Sequence, residues 1–188
     1  SLIDKGVLEF VKASNFEASV VKAALPCKLF LKKKGSVMKA RMVAGGHRQP
    51  RLPMEETSSP TVMISTVMAS MQIVTTSNMF TCIADVETAY LNADNSNEEL
   101  MYIGREEAKH FIKVRPDLSE YLDNNGRLLC VIVKALYGLQ QSAKLWYGHM
   151  SKTLDTLGYK PTIEDPCAFV KTLFGKTSII LAHVDDFL

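Results

Sequence analysis

Residues 179–188 read Ile-Ile-Leu-Ala-His-Val-Asp-Asp-Phe-Leu. The apolar run Ile179 to Ala182 predicts a buried strand that delivers two adjacent carboxylates, Asp185 and Asp186, at its end. Adjacent acids in an apolar setting repel each other and resist desolvation. A divalent cation removes that penalty, because its charge inverts the local pKa logic. A solvated turn explains the same pair, since Asp is a common turn residue.

Working outward, residues 80–85 (Phe-Thr-Cys-Ile-Ala-Asp) repeat the setting, an apolar strand that ends on Asp85. Asp85 alone says little, because helix N-caps prefer Asp. Three carboxylates converging from two neighbouring strands form an oxygen-rich cage suited to Mg²⁺. Such a cage can hold two metals about 3.5–4 Å apart, the arrangement of in-line phosphoryl displacement.

The strand at 178–184 forms a predicted hairpin with 168–172 across the Phe174-Gly175-Lys176 turn. Before it, Ala143, Tyr147, Met150, Leu154 and Leu157 fall on one helical stripe over residues 142–157, and Gly158 stops that helix. Residues 128–135 read as a strand, and 93–127 as polar and irregular. A helix over 61–75, opened by Thr57-Ser-Ser-Pro60, offers Met63, Val67, Met71 and Val74 to a core. Residues 27–30 and 37–44 flank Lys32-Lys-Lys-Gly-Ser36 as a second hairpin. There Lys39 and Arg41 alternate with Ala40 and Met42, so both cations share one face. A ribbon showing Lys32, Lys33, Lys34, Lys39 and Arg41 is suited to phosphates. Residues 1–27 carry only weak helical spacing across Val7, Leu8 and Val11. The order of elements predicts an α+β fold, a small antiparallel sheet with helices packed on one face.

Composition narrows the class. Residues 1–50 hold ten Lys/Arg against three Asp/Glu, and 51–188 hold twelve against seventeen. A basic front part and an acidic remainder suit a polyanion surface with a separate metal site. The four cysteines lie at least 37 residues apart, which excludes a local zinc knuckle and a disulfide scaffold, and predicts core filler in a reducing compartment. No run approaches the roughly 18 apolar residues of a membrane span.

Six blocks in order carry a resemblance. They are Lys39-Ala-Arg-Met-Val-Ala-Gly-Gly-His-Arg-Gln49, Ser59-Pro-Thr-Val62, Asp85-Val-Glu-Thr-Ala-Tyr-Leu-Asn92, Ala135-Leu-Tyr-Gly-Leu-Gln-Gln141 with Trp146-Tyr147, Asp165-Pro-Cys-Ala-Phe169, and His183-Val-Asp-Asp186. Together they resemble the reverse transcriptase of copia-type long-terminal-repeat retrotransposons. The resemblance implies the fingers and palm of a right-hand polymerase: fingers over 26–80, palm over 81–188 with 100–135 returning to the fingers, and an N-terminal segment, 1–25, without assigned role. It implies an RNA-directed DNA polymerase in which Asp85, Asp185 and Asp186 bind two Mg²⁺, with Mn²⁺ as substitute. Tyr90 would lie under the nucleotide sugar and exclude a 2′-hydroxyl. Lys39 or Arg41 would reach the triphosphate, Gln140 and Gln141 would line the nucleotide pocket, and Lys32, Lys33 and Lys34 would meet nucleic acid. Trp146 and Tyr147 would pack their helix on the sheet. The partners implied are a primed RNA or DNA template, deoxynucleoside triphosphates and further polyprotein domains (thumb, RNase H, integrase), in cytoplasmic particles with a later nuclear stage, and no membrane. The alternative is a nucleic-acid-binding remnant that has lost catalysis.

The sequence departs from the family's usual pattern at three places. His183 replaces the usual Tyr, Ser142-Ala143 replaces Ala-Pro, and Gly45-Gly-His47 replaces Lys-Gly-Phe. With two residues after Asp186, the strand leaving that turn and the thumb are expected to be missing, leaving an open sheet edge and a weak grip on duplex.

Overall fold

Phe174 and Gly175 turn the chain with φ 50° and 73°, the paired positive angles that suit a tight hairpin. The computed structural model that contains this turn describes residue 3 and residues 5–188, apart from the side chains of Lys34 and Val37. In chain order the elements are β1 (Leu8–Val11), α1 (Ala18–Ala23), β2 (Leu25–Lys34), β3 (Val37–Ala44), α2 (Met54–Thr57) and α3 (Ile64–Thr76). They continue with β4 (Ala84–Asp85), β5 (Leu100–Ile103), α4 (Arg105–Val114), β6 (Leu128–Ile132), α5 (Ser142–Thr156), β7 (Lys160–Pro161), β8 (Ala168–Leu173), β9 (Lys176–His183) and β10 (Asp186–Phe187).

These strands form two five-stranded sheets, ordered β1-β6-β5-β2-β3 and β4-β10-β9-β8-β7. Every pairing is antiparallel except the short β2–β5 contact. The fold is α+β, built on two sheets rather than one. The first sheet buries Val7, Leu25, Met42, Met101, Ile103 and Leu128, covered by Phe10 and Phe111. The second buries Phe169 and Ala182 beneath Trp146, Met150 and Leu154 of α5. That stripe is 142, 146, 150, 154, so α5 is rotated from the expected one: Trp146 takes the core and Leu157 is exposed. A single indole buries more apolar area than any aliphatic alternative, which decides the rotation. No helix among the described residues is long and apolar enough to cross a membrane.

Several expectations are corrected. Val7 to Val11 belong to a strand start, because pairing with β6 covers Leu8 and Val7 in the first core. Residues 93–127 contain β5 and α4, whose Ala108 is buried and whose Phe111 packs on the core. The strand expected over 80–85 shrinks to Ala84–Asp85; Phe80 is 103% exposed, and Cys82 is exposed rather than core filler. The strand after Asp186 exists: β10 is hydrogen-bonded between β9 and β4 and is not an edge. Finally, α3 forms where expected but buries none of its residues. Spacing locates a helix, whereas burial depends on what packs against it.

One buried carboxylate ties α3 to the second sheet. Asp165 accepts the backbone N–H of Met63 at 2.8 Å and that of Cys167 at 2.9 Å. Met63 is the N-cap residue of α3, so Asp165 caps that helix from across the chain. Burial pushes its pKa up, but the N–H of Met63, the hydroxyl of Thr66 and the N–H of Cys167 outweigh burial and hold it below the ordinary carboxylate value. A lowered pKa stabilises the fold above the unfolded value, near 3.9, and the gain is lost as pH falls through the folded pKa. Asp165→Asn is therefore expected to cost about 1–3 kcal/mol at pH 7 in urea unfolding. The gap to the parent chain should close as pH falls below about 4; a gap independent of pH would refute the charged cap.

Candidate active site

Val184 and Asp185 form the two-residue turn between β9 and β10, closed by the pair His183–Asp186. Val184 adopts φ 59°, a region that a β-branched residue enters only at a strain of about 1–3 kcal/mol. Trp146 holds the turn from behind, its Nε1–H donating to the Val184 carbonyl at 2.6 Å. Tyr147 braces the same helix, donating to the Pro166 carbonyl at 3.0 Å. Both aromatics thus pack α5 on the sheet, and Trp146 also fixes where the turn points.

The turn is then paired to the second acidic strand. Asp186 lies directly opposite Asp85, Phe187 opposite Ala84, and the Val86 N–H donates to the Asp185 carbonyl at 2.8 Å. Directly opposed residues have Cβ atoms about 4.5–5.5 Å apart, close enough for both carboxylates to reach one ion. Asp85 and Asp186 are exposed and Asp185 is half-buried. The side chains themselves are not gathered: among the described residues no three His, Cys, Asp or Glu groups are close enough to hold a metal. Like charges on adjoining strands repel, so convergence needs rotamer changes on a backbone that is already paired. The donor set, all hard oxygen, fits Mg²⁺.

Beyond Asp85, Thr88 takes a left-handed conformation and the short helix Ala89–Asn92 follows, carrying Tyr90. The Tyr90 ring lies 4.7 Å from that of Tyr137, tilted by 42°. Tyr137 is placed by a close crossing of two backbones. The Ala44 N–H donates to the Tyr137 carbonyl at 2.8 Å. A Cβ on Gly138 would sit 2.1 Å from the Ala44 carbonyl oxygen, and one on Gly46 would sit 1.9 Å from that of Gly138. Only glycine allows the end of β3 to approach so closely. The crossing lays the Arg41 guanidinium over the Tyr137 ring at 4.7 Å.

Charge reflects this proximity. Burial chiefly raises the pKa of both tyrosines; Tyr137 and Asp185 add to it at Tyr90, while Arg41 opposes it and Asp185 and Asp85 add to it at Tyr137. Both phenols stay protonated at neutral pH. Lys5 reaches the same loop, its Nζ donating to Thr88 Oγ1 at 2.8 Å.

The register of the basic ribbon sorts its cations. Lys32 opposes Lys39 and Phe30 opposes Arg41, so these four share a face. Lys33 opposes Met38 and lies on the other face, with Leu31. The five cations expected together are therefore divided by the pleat, and the Lys34 side chain lies outside the described residues. Like charges directly opposed destabilise a ribbon unless something anionic meets them.

Gln140 and Gln141 are placed as struts. The Gln140 amide donates to the carbonyls of Gly46 and Pro50 and accepts from Leu52 N–H. Gln141 is buried, donating to Glu99 at 2.6 Å and Asn95 at 3.1 Å and accepting from Gln49 at 3.1 Å. These bonds use both amides to tie the loop after β3 to the start of α5. Tyr137 and Lys5 were missed. An aromatic before a glycine was the one hint for Tyr137, and nothing in the sequence marks Lys5.

A family model described as reverse transcriptase (RNA-dependent DNA polymerase) matches residues 19–188. The Retrovirus-related Pol polyprotein from transposon TNT 1-94 of Nicotiana tabacum is 29% identical over 175 residues, which cover 89% of this chain and 12% of that relative. Those from transposons RE2 and RE1 of Arabidopsis thaliana are 30% and 29% identical, each over 152 residues and 80% of this chain, but only 10% and 9% of the relative. The chain spans about a tenth of the length of the curated relatives it matches.

Proposed function

Since this chain belongs to the reverse transcriptase (RNA-dependent DNA polymerase) family, among the copia-type retrotransposon sequences, we propose that it adds deoxynucleotides to a primer 3′-hydroxyl on an RNA or DNA template. The observation that carries this reading is the pairing of Asp186 with Asp85 beside the Arg41–Tyr137–Tyr90 stack.

Asp85, Asp185 and Asp186 would hold two Mg²⁺, or Mn²⁺ in their place. Bound there, the cations would polarise the attacking hydroxyl and neutralise charge on the leaving pyrophosphate. The chain's own groups do the positioning. Arg41 offers a fork to phosphate oxygens, pre-oriented on Tyr137. Tyr90, buttressed by the same ring, offers a flat wall to the sugar and leaves no room for a 2′-hydroxyl. Lys32 and Lys39 supply backbone-directed charge to the nucleic acid. Residues 26–80 and 100–135 would act as fingers and the remainder from 81 as palm, working with the other domains of a polyprotein in the cytoplasm.

Of the two candidate triphosphate ligands we propose Arg41, whose guanidinium lies over the Tyr137 ring. Arg41→Ala is expected to raise the nucleotide KM about tenfold or more, a charged hydrogen bond being worth about 1.5–3 kcal/mol. Lys39→Ala should change it less; the reverse order would reassign the contact to Lys39.

A second reading, a nucleic-acid-binding remnant without catalysis, is favoured by the ungathered carboxylates. The deciding experiment is single-nucleotide incorporation into a DNA primer on an RNA template, with protein in large excess and either Mg²⁺ or Mn²⁺. Extension with either ion supports the polymerase. Template binding without extension under both ions supports the remnant.

A further inference from the structure

The short helix Ala89–Asn92 bridges the two cores of the molecule. Ala89 is buried with the second sheet and Leu91 with the first, and Tyr90 lies between them. Where this helix points is set at its N-cap, Thr88. A β-branched residue keeps a φ of 55° only when its surroundings hold it there. The main chain supplies one hold, the Leu91 N–H donating to the Thr88 carbonyl at 2.9 Å. The hydroxyl is held from a distant part of the chain, by Lys5 Nζ at 2.8 Å.

Lys5 is aimed by its own backbone. Val7 is fully buried, and its carbonyl accepts the Val133 N–H at 3.0 Å where β1 begins to pair with β6. Just before it, Gly6 turns the chain with φ 61°, its N–H donating to the Ile3 carbonyl at 3.0 Å. A Cβ on Gly6 would meet nothing within 4 Å, so glycine serves here for its angle and not for space. The same end of the sheet is tied to the end of the Tyr90 helix, because the Ala135 N–H donates to the Ala93 carbonyl at 2.9 Å. Lys5 precedes residues 19–188, the stretch that carries the family likeness, so its contact with Thr88 is no part of that likeness.

We infer that Lys5 is a positioning residue: by holding Thr88 in its left-handed conformation, it fixes the angle at which Tyr90 meets the sugar of an incoming nucleotide. The inference rests on the polymerase reading for the identity of that sugar. Lys5 itself touches no substrate and acts through Thr88 and the helix that follows it.

Two measurements on the full chain test it. The first is amide hydrogen exchange without metal or nucleotide. The Leu91 and Ala93 amides donate to the carbonyls of Thr88 and Tyr90. In Lys5→Met both should exchange about threefold to tenfold faster, the range that one net hydrogen bond supports, while those of β8 and β9 are unchanged. The second is single-nucleotide incorporation with protein in excess. In Lys5→Met the ratio of ribonucleotide to deoxynucleotide kcat/KM should rise by about the same factor. Loss of fold would lower both nucleotides together; a displaced Tyr90 raises one against the other. Thr88→Val removes the acceptor and should reproduce both effects. The double variant Lys5→Met/Thr88→Val should be no worse than either single one, because the two residues share one contact. Lys5→Arg should restore parent behaviour, whereas Gly6→Ala, which keeps the ammonium and disturbs the turn, should resemble Lys5→Met. Parent-like exchange or an unchanged nucleotide ratio in Lys5→Met would overturn the inference, as would additive effects in the double variant. A parent chain that extends no primer refutes the polymerase reading, and the exchange of Leu91 and Ala93 then upholds or overturns the hold on Thr88 by itself.

Discussion

Asp185→Asn is expected to lower single-nucleotide incorporation by about a thousandfold or more, because metal stabilisation of transition-state charge is worth several kcal/mol and each 1.36 kcal/mol is tenfold. The substitution keeps size and shape while removing one negative charge. The turn itself should survive, since it is the backbone carbonyl of Asp185 that accepts the Val86 N–H. Stability should therefore move by no more than about 0.5 kcal/mol. A second readout is independent of catalysis. Asp185 adds to the upward pKa shifts of Tyr90 and Tyr137, so its neutralisation should lower both phenol pKa values in a spectrophotometric titration. Glu87→Gln, at an exposed acid two residues beyond Asp85, should leave incorporation unchanged. If Asp185→Asn keeps more than a tenth of the parent rate, the acid pair is a solvated turn and not the chemical centre.

The largest effect on stability is expected at Phe169. Its side chain is fully buried in β8, opposite Ile180 of β9 and packed with Trp146 and Met150. Phe169→Ala should cost about 3–5 kcal/mol, the forfeited transfer energy plus the cavity left behind. Against a total of about 5–15 kcal/mol for a natural domain, that is enough to place the chain near its unfolding threshold. The urea midpoint would fall sharply, with the slope of the transition unchanged. Phe80→Ala is the matched control. The sequence put Phe80 in a strand like that of Phe169, yet it is wholly exposed, so the change should stay within about 0.5 kcal/mol. Equal losses at both positions would mean that residues 79–83 are packed in solution.

Much of the site was legible before any coordinates. The hairpin of β8 and β9 followed from two strand-like runs about the Phe174-Gly175-Lys176 turn, and an acid at the end of each of two apolar runs marked Asp85 and the Asp185–Asp186 pair. These signals are local: a strand's period and a turn's chemistry act within a few residues. The partners of Gln141 were not legible, because it is buried between Asn95 and Glu99, 46 and 42 residues away. Nor was the exposure of α3, because its uncharged, Met- and Val-rich pattern states only that it favours an apolar neighbour. The helix α4 was hidden by charge, with Ala108 and Phe111 as its few apolar anchors among Arg, Glu, Lys and His.

Which residues could do chemistry here is written along the chain: three carboxylates at strand ends, a ribbon without acids, and a tyrosine five residues after the first aspartate. Which of them meet is settled by packing. The register of β10 against β4 put Asp186 opposite Asp85, the pleat of the ribbon kept Lys32, Lys39 and Arg41 while turning Lys33 away, and the glycine crossing at Gly46 and Gly138 laid Arg41 on Tyr137. The physical reason is range. Side-chain type and periodicity are properties of neighbouring residues, whereas register and crossing are set by packing between segments tens of residues apart, and a shift of one residue in register turns every side chain to the opposite face.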